Sequence, residues 1–160
     1  MHTIIIKFRD WAFEVYKDVT EQTYKSISYS GAETCICNNC KNYVAYRAQV
    51  FPQEVLELFN DLGIDNGKEV EITTYEILAD GRHHIGGWFH FKGKVLAGKD
   101  YRVPREFGAH TFDLTPITEN FSIGFAEGSD LTFFEDKTDL VQVEFCTNIP
   151  WVIDKSLETV

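Results

Sequence analysis

Apolar positions along the chain change their period several times, and each change marks a different kind of element. Residues 3–8 and 11–16 are apolar, β-branched and aromatic runs on either side of Arg9-Asp10, the pattern of a hairpin. Residues 23–29 alternate weakly and fit a third strand or a short helix, the strand being preferred. Asn38 or Asn39 can cap a helix, which the pattern carries to about Ala48. A stronger helix follows: Pro52 opens it, Val55, Leu58, Phe59 and Leu62 repeat at helical spacing, and Gly63 stops it.

Beyond residue 69 the period drops to two. Residues 69–78 and 84–96 flank Asp80-Gly81, a dipeptide suited to a two-residue primed turn, and further strands are expected at 111–114, 120–125, 131–134 and 140–146. No repeat or linker divides the chain, so residues 1–160 read as a single domain. Two consecutive helices between an N-terminal hairpin or meander and a C-terminal meander give the α+β class with a mostly antiparallel sheet.

A two-residue turn at Asp80-Gly81 would set Tyr75 opposite Gly86, Thr73 opposite Trp88, Glu71 opposite His90 and Glu69 opposite Lys92. Alternation then puts Val70, Ile72, Ile85, Phe89 and Phe91 on the core face, with Glu69, Glu71, Tyr75, His84, Trp88, His90 and Lys92 on the other. Glu71, Tyr75, His84, Trp88 and His90 are the candidate binding residues, because polar and aromatic groups share one surface there. Glu71 beside His90 would orient the imidazole and favour its charged form. The plainer reading has Trp88 covered by a helix and His90 satisfied by a buried hydrogen bond.

Three of the four cysteines fall within six residues: Cys35, Cys37 and Cys40, with Cys146 far away. A secreted disulfide scaffold would spread its cysteines, whereas this cluster at the start of a helix suits a metal or thiol site in a reducing compartment. Thiolates bind Zn2+, and the two-residue gap between Cys37 and Cys40 suits two ligands of one tetrahedral ion. A fourth ligand would come from Cys146, His90, His110, His83 or His84. Plain reduced thiols, a reversible disulfide and a nucleophilic cysteine are the rival readings.

The chain carries 25 acidic and 15 basic residues, a net charge of −10, which argues against a nucleic-acid binder. Residues 54–80 and 113–144 each hold eight acids against one base, while residues 82–105 hold six bases against one acid. Such segregation fits charges pairing across a sheet; the sharper reading is an anion site built from Arg82, Lys92, Lys94, Arg102 and Arg105. No apolar run reaches the length of a signal-peptide core or a membrane span, so a cytoplasmic protein is expected. Phosphate-loop, HExxH, GxSxG and EF-hand patterns are missing.

Four motifs occur in order: Cys35, Cys37 and Cys40 with Asn42-Tyr43; a helix ending in Leu62-Gly63-Ile64-Asp65; residues 80–91, DGRHHIGGWFHF; and Pro150-Trp151-Val152. By these the chain resembles a group of bacterial proteins of similar length that have no established activity. That resemblance implies serine more often than cysteine at position 146, which sets Cys146 apart from the cluster. The function expected is a non-catalytic binding protein of the immunity or inhibitor kind, recognising another protein, with a possible zinc site. The alternative is a small hydrolase using His90 and Glu71 with a metal or a thiolate.

Overall fold

The structure, a computed structural model, describes residues 2–159. Strands β1 (Ile4–Phe8) and β2 (Trp11–Val15) form the expected hairpin, and four helices follow: α1 (Lys17–Ser26), α2 (Gly31–Thr34), α3 (Asn38–Tyr46) and α4 (Gln53–Leu62). Then come β3 (Glu71–Ile77), β4 (His83–Ala97), β5 (Arg102–Pro104), β6 (His110–Phe112), β7 (Thr115–Thr118), β8 (Phe121–Glu127) and β9 (Leu140–Ile149). Seven strands make one antiparallel sheet in the order β1-β2-β4-β9-β8-β7, with β3 also on β4; β5 and β6 pair separately as an arm. The class is α+β, as the pattern implied.

One sheet face and the helices enclose an aromatic core. Phe13, Phe89, Phe91, Phe125 and Phe145 are all fully buried, and Phe59 of α4 meets Phe89 edge-on with ring centroids 4.9 Å apart. Val55, Leu58, Phe59 and Leu62 form the buried stripe of α4. Gly63 ends that helix at φ 87°, in the left-handed region. A Cβ there would also lie 2.8 Å from Lys17 O.

The expected strand at 23–29 is instead part of α1 and its exit. Thr20 and Tyr24, one helical turn apart, are the buried residues of α1. They complete the edge of β4, which pairs with β3 over His83–Trp88 and with β2 from Gly93 onward. In the interval Tyr24 Oη donates to His90 O (2.8 Å) and accepts from His90 N (3.0 Å), and Thr20 Oγ1 accepts from Lys92 N (3.0 Å). A helix thus supplies hydrogen bonds that a strand would have made.

Other expectations shift more modestly. The helix expected from an Asn cap starts with Cys37 as its N-cap, and its last turn tightens to a 3-10 helix at Arg47–Gln49. Residues 131–134 are not a strand. They belong to a loop over the outer face, where Leu131 O accepts from Trp88 Nε1 (2.9 Å) and Phe134 is buried. Strand β5 had no alternation to announce it, and of the strand expected at 111–114 only Thr111 and Phe112 are in β6, with Asp113 and Leu114 in the link to β7.

The β3–β4 pairing also differs. Leu78 N donates to Arg82 O and Gly81 N to Leu78 O, with Gly81 at φ 89°, so the loop is three residues closed by a left-handed glycine. That moves the register by one, and an irregularity at Tyr75, between the pairs Thr74↔Ile85 and Glu76↔His84, moves it by one more. Glu71 therefore lies opposite Trp88 and Thr73 opposite Gly86. Two one-residue shifts restore the parity, so Val70, Ile85, Phe89 and Phe91 are buried as expected.

Candidate functional site

The three clustered cysteines sit where α2 hands over to α3. Ser30 and Glu33 close a capping box on α2, which ends at Cys35. Cys35 Sγ accepts from Cys37 N (3.5 Å), and Cys37 Sγ from Cys40 N (3.4 Å). The Sγ atoms of Cys35, Cys37 and Cys40 all lie within 4.8 Å of one another, close enough to bind a metal. Cys35 and Cys37 are separated by 3.2 Å and every cysteine is free. Tetrahedral zinc with Zn–S of about 2.3 Å places neighbouring sulfurs about 3.8 Å apart, so the donor set fits such an ion.

Electrostatics within the cluster favour a cation. The N–H of Cys37 holds the Cys35 thiol below its usual range, while burial and the neighbouring sulfurs push Cys40 up. A first thiolate resists a second beside it, and a metal ion reverses that cost. Cys37 is exposed and Ile36 at the turn is 90% exposed.

Two buried polar contacts hold the flanking helices. Arg47 at the end of α3 reaches the fully buried Glu69 (3.1 Å) and Ser30 Oγ (3.3 Å). Gly31 N donates to Glu69 O, and a Cβ on Gly31 would lie 1.8 Å from Val70 O, so α2 can approach β3 only at a glycine. On the other side, buried Asn42 donates to Pro150 O (3.1 Å) and accepts from Val152 N (2.7 Å). The cysteine helix and the Pro-Trp-Val segment are thereby tied together. None of the five fourth-ligand candidates joins the cluster: among the described residues the metal-suited group is the three cysteines alone.

The outer face of β4 is divided rather than continuous. His90 does not meet Glu71; it is fully buried, and its Nε2 donates to Gln142 Oε1 (2.9 Å). Burial lowers its pKa to about 4, the opposite of an imidazole charged by a carboxylate, and its Nδ1 has no partner. The Glu71–His90 pair of the hydrolase reading is therefore not formed. Glu69 and Lys92, expected outside, are buried, while Glu71 is exposed. Trp88 is half-buried beneath the 128–139 loop rather than a helix.

Tyr75 and His84 remain open to the surface, their rings 5.3 Å apart. They border a cleft of about 510 Å³ together with Phe112, Leu114, Ser122 and Cys146, beneath the β5–β6 arm. Sequence reasoning missed the contribution of β9, whose even positions Gln142, Glu144, Cys146 and Asn148 face this side by simple alternation. Glu144, 4% exposed, is pushed up to about 8 by burial and by the charge of Asp130. Of the five residues of the expected anion site, Arg82 pairs with Asp80, Lys92 with Asp136 and Arg102 with Asp100.

No helix among the described residues is long and apolar enough to cross a membrane. No family model, curated protein or solved structure shows a significant match to the chain.

Proposed function

We propose that the protein is a zinc-binding, non-catalytic recognition protein of the cytoplasm whose partner is another protein. The observation that carries the reading is the convergence of three Sγ atoms within 4.8 Å, at a turn whose backbone N–H groups already point at two of them. Thiolates are soft donors, which selects zinc over hard cations such as magnesium and calcium. The ion would be held by Cys35, Cys37 and Cys40, tie α2 to α3 and contribute to folding.

Recognition of a protein is supported by the net charge of −10, which speeds encounter with a basic surface. The hydrolase reading is weakened, since His90 is buried with Gln142 and has no carboxylate to orient it. The resemblance of the four motifs to a bacterial group is part of this proposal and adds no reaction to it.

Metal analysis of untagged protein purified without chelator is the test, and about one zinc per chain is expected. Near-zero metal with three freely titrating thiols would end the zinc reading. For the partner, immobilised protein should retain a basic protein from lysate at low salt and release it at high salt, as screened charges require. Retention of nothing in stoichiometric amount would end the recognition reading.

A further inference from the structure

We infer that the cleft between the outer sheet face and the β5–β6 arm binds an uncharged, planar aromatic or heteroaromatic small molecule that donates an N–H or O–H to His84 Nε2. The site is separate from the cysteine turn, and the inference does not depend on a bound metal.

The cleft exists because two glycines leave the sheet bare on either side of it. Tyr101 and Leu114, at the base of the arm, rest on Gly124, where a Cβ would lie 2.5 Å from Tyr101 Cβ and 2.7 Å from Leu114 Cδ2. Tyr75 lies over Gly86, where a Cβ would come within 2.7 Å of the phenol oxygen. Between them the floor is the cross-strand pair Ser122 and Cys146 on β8 and β9. Phe112 stands as a wall, braced edge-on by Tyr101 at 5.0 Å. The volume of about 510 Å³ is that of an ordinary small-ligand site.

The chemistry of the lining selects the ligand. In a chain a quarter of whose residues are charged, this lining contains no Lys, Arg, Asp or Glu. A charged ligand would lose its hydration there with no Lys, Arg, Asp or Glu to pair with, the basic groups of the lining being the imidazoles of His84 and His110. The Tyr75, His84 and Phe112 rings and the Leu114 side chain instead offer faces to a flat apolar body. Polarity is confined to a few points, and one has a set direction. Asn148 Oδ1 can only accept, so His84 Nδ1 donates to it at 2.8 Å. In the neutral imidazole this leaves Nε2 as an acceptor.

The test uses the full chain and follows backbone amides of Tyr75, His84, Phe112 and Ser122 by NMR during titration with indole, 1-methylindole, benzoate and benzylamine. Indole should give saturable shifts at these four positions and bind about five-fold tighter than 1-methylindole, the effect of one hydrogen bond. His84→Phe should erase that five-fold difference while leaving 1-methylindole binding in place. Ser122→Leu, which fills the floor, should abolish both without lowering the melting temperature. The proposal is overturned if indole produces no saturable shift at millimolar concentration. It is equally overturned if either charged probe binds as tightly, or if indole keeps its advantage in His84→Phe. Should His84→Phe not fold, the indole to 1-methylindole ratio on the wild type and the Ser122→Leu result decide the matter.

Discussion

Tyr24 takes the place of a neighbouring strand at His90: one phenol oxygen satisfies both the N–H and the C=O of that residue, at 3.0 and 2.8 Å. Because the site is buried, water cannot replace the hydroxyl. Tyr24→Phe keeps the ring and leaves two orphaned backbone groups, a loss expected to cost about 3 kcal/mol of unfolding free energy. Urea denaturation measures it, and a change under about 0.5 kcal/mol would show that the edge is not closed in this way.

Two buried groups on the outer face should give the protein a stability maximum in mild acid. Glu144 is protonated in the fold up to about 8 but only to 4.5 in the unfolded chain. Its contribution is therefore full below 4.5 and lost as pH rises through 8. His90 runs the other way, from 6.5 down to about 4. Its contribution is full above 6.5 and lost as pH falls through 4. Melting temperature should decline from pH 6 to pH 9 in the wild type. Glu144→Gln, neutral throughout, should flatten that decline; an unchanged slope would place the alkaline loss elsewhere.

Asn42 ties the cysteine helix to the segment after β9 through Pro150 O and Val152 N. Asn42→Ala removes both bonds and is expected to free residues 150–159 for cleavage under limited proteolysis, with a destabilisation of about 2 kcal/mol. Equal cleavage of wild type and variant would mean that Trp151 over His83, or Glu158 on His83 Nε2, holds this segment without Asn42.

Metal loading should separate the cysteines cleanly. Cys35→Ser and Cys40→Ser are each expected to lose most bound zinc and to lower the melting temperature. Cys146→Ser, on β9 beside Ser122, should keep the wild-type metal content. Zinc loss in Cys146→Ser would contradict the three-sulfur arrangement.

Local patterning was enough for several features, and the reason is that each depends on neighbours in the chain. The buried stripe of α4 and its stop at Gly63 follow from helical spacing and one left-handed position. The cysteine cluster follows from spacing at a helix start. Even the sorting of Val70, Ile85, Phe89 and Phe91 to the core survived a wrong turn type, since two register shifts of one residue cancel in a pattern of period two. Partners across strands do not survive such shifts, because they depend on the absolute count, and so Glu71 faces Trp88 instead of His90. Tertiary structure alone decided that Thr20 and Tyr24 serve a strand edge from a helix, that a loop covers Trp88, and that an arm roofs a cleft over Cys146. Those outcomes join residues up to 72 positions apart, and no local periodicity carries information over that separation.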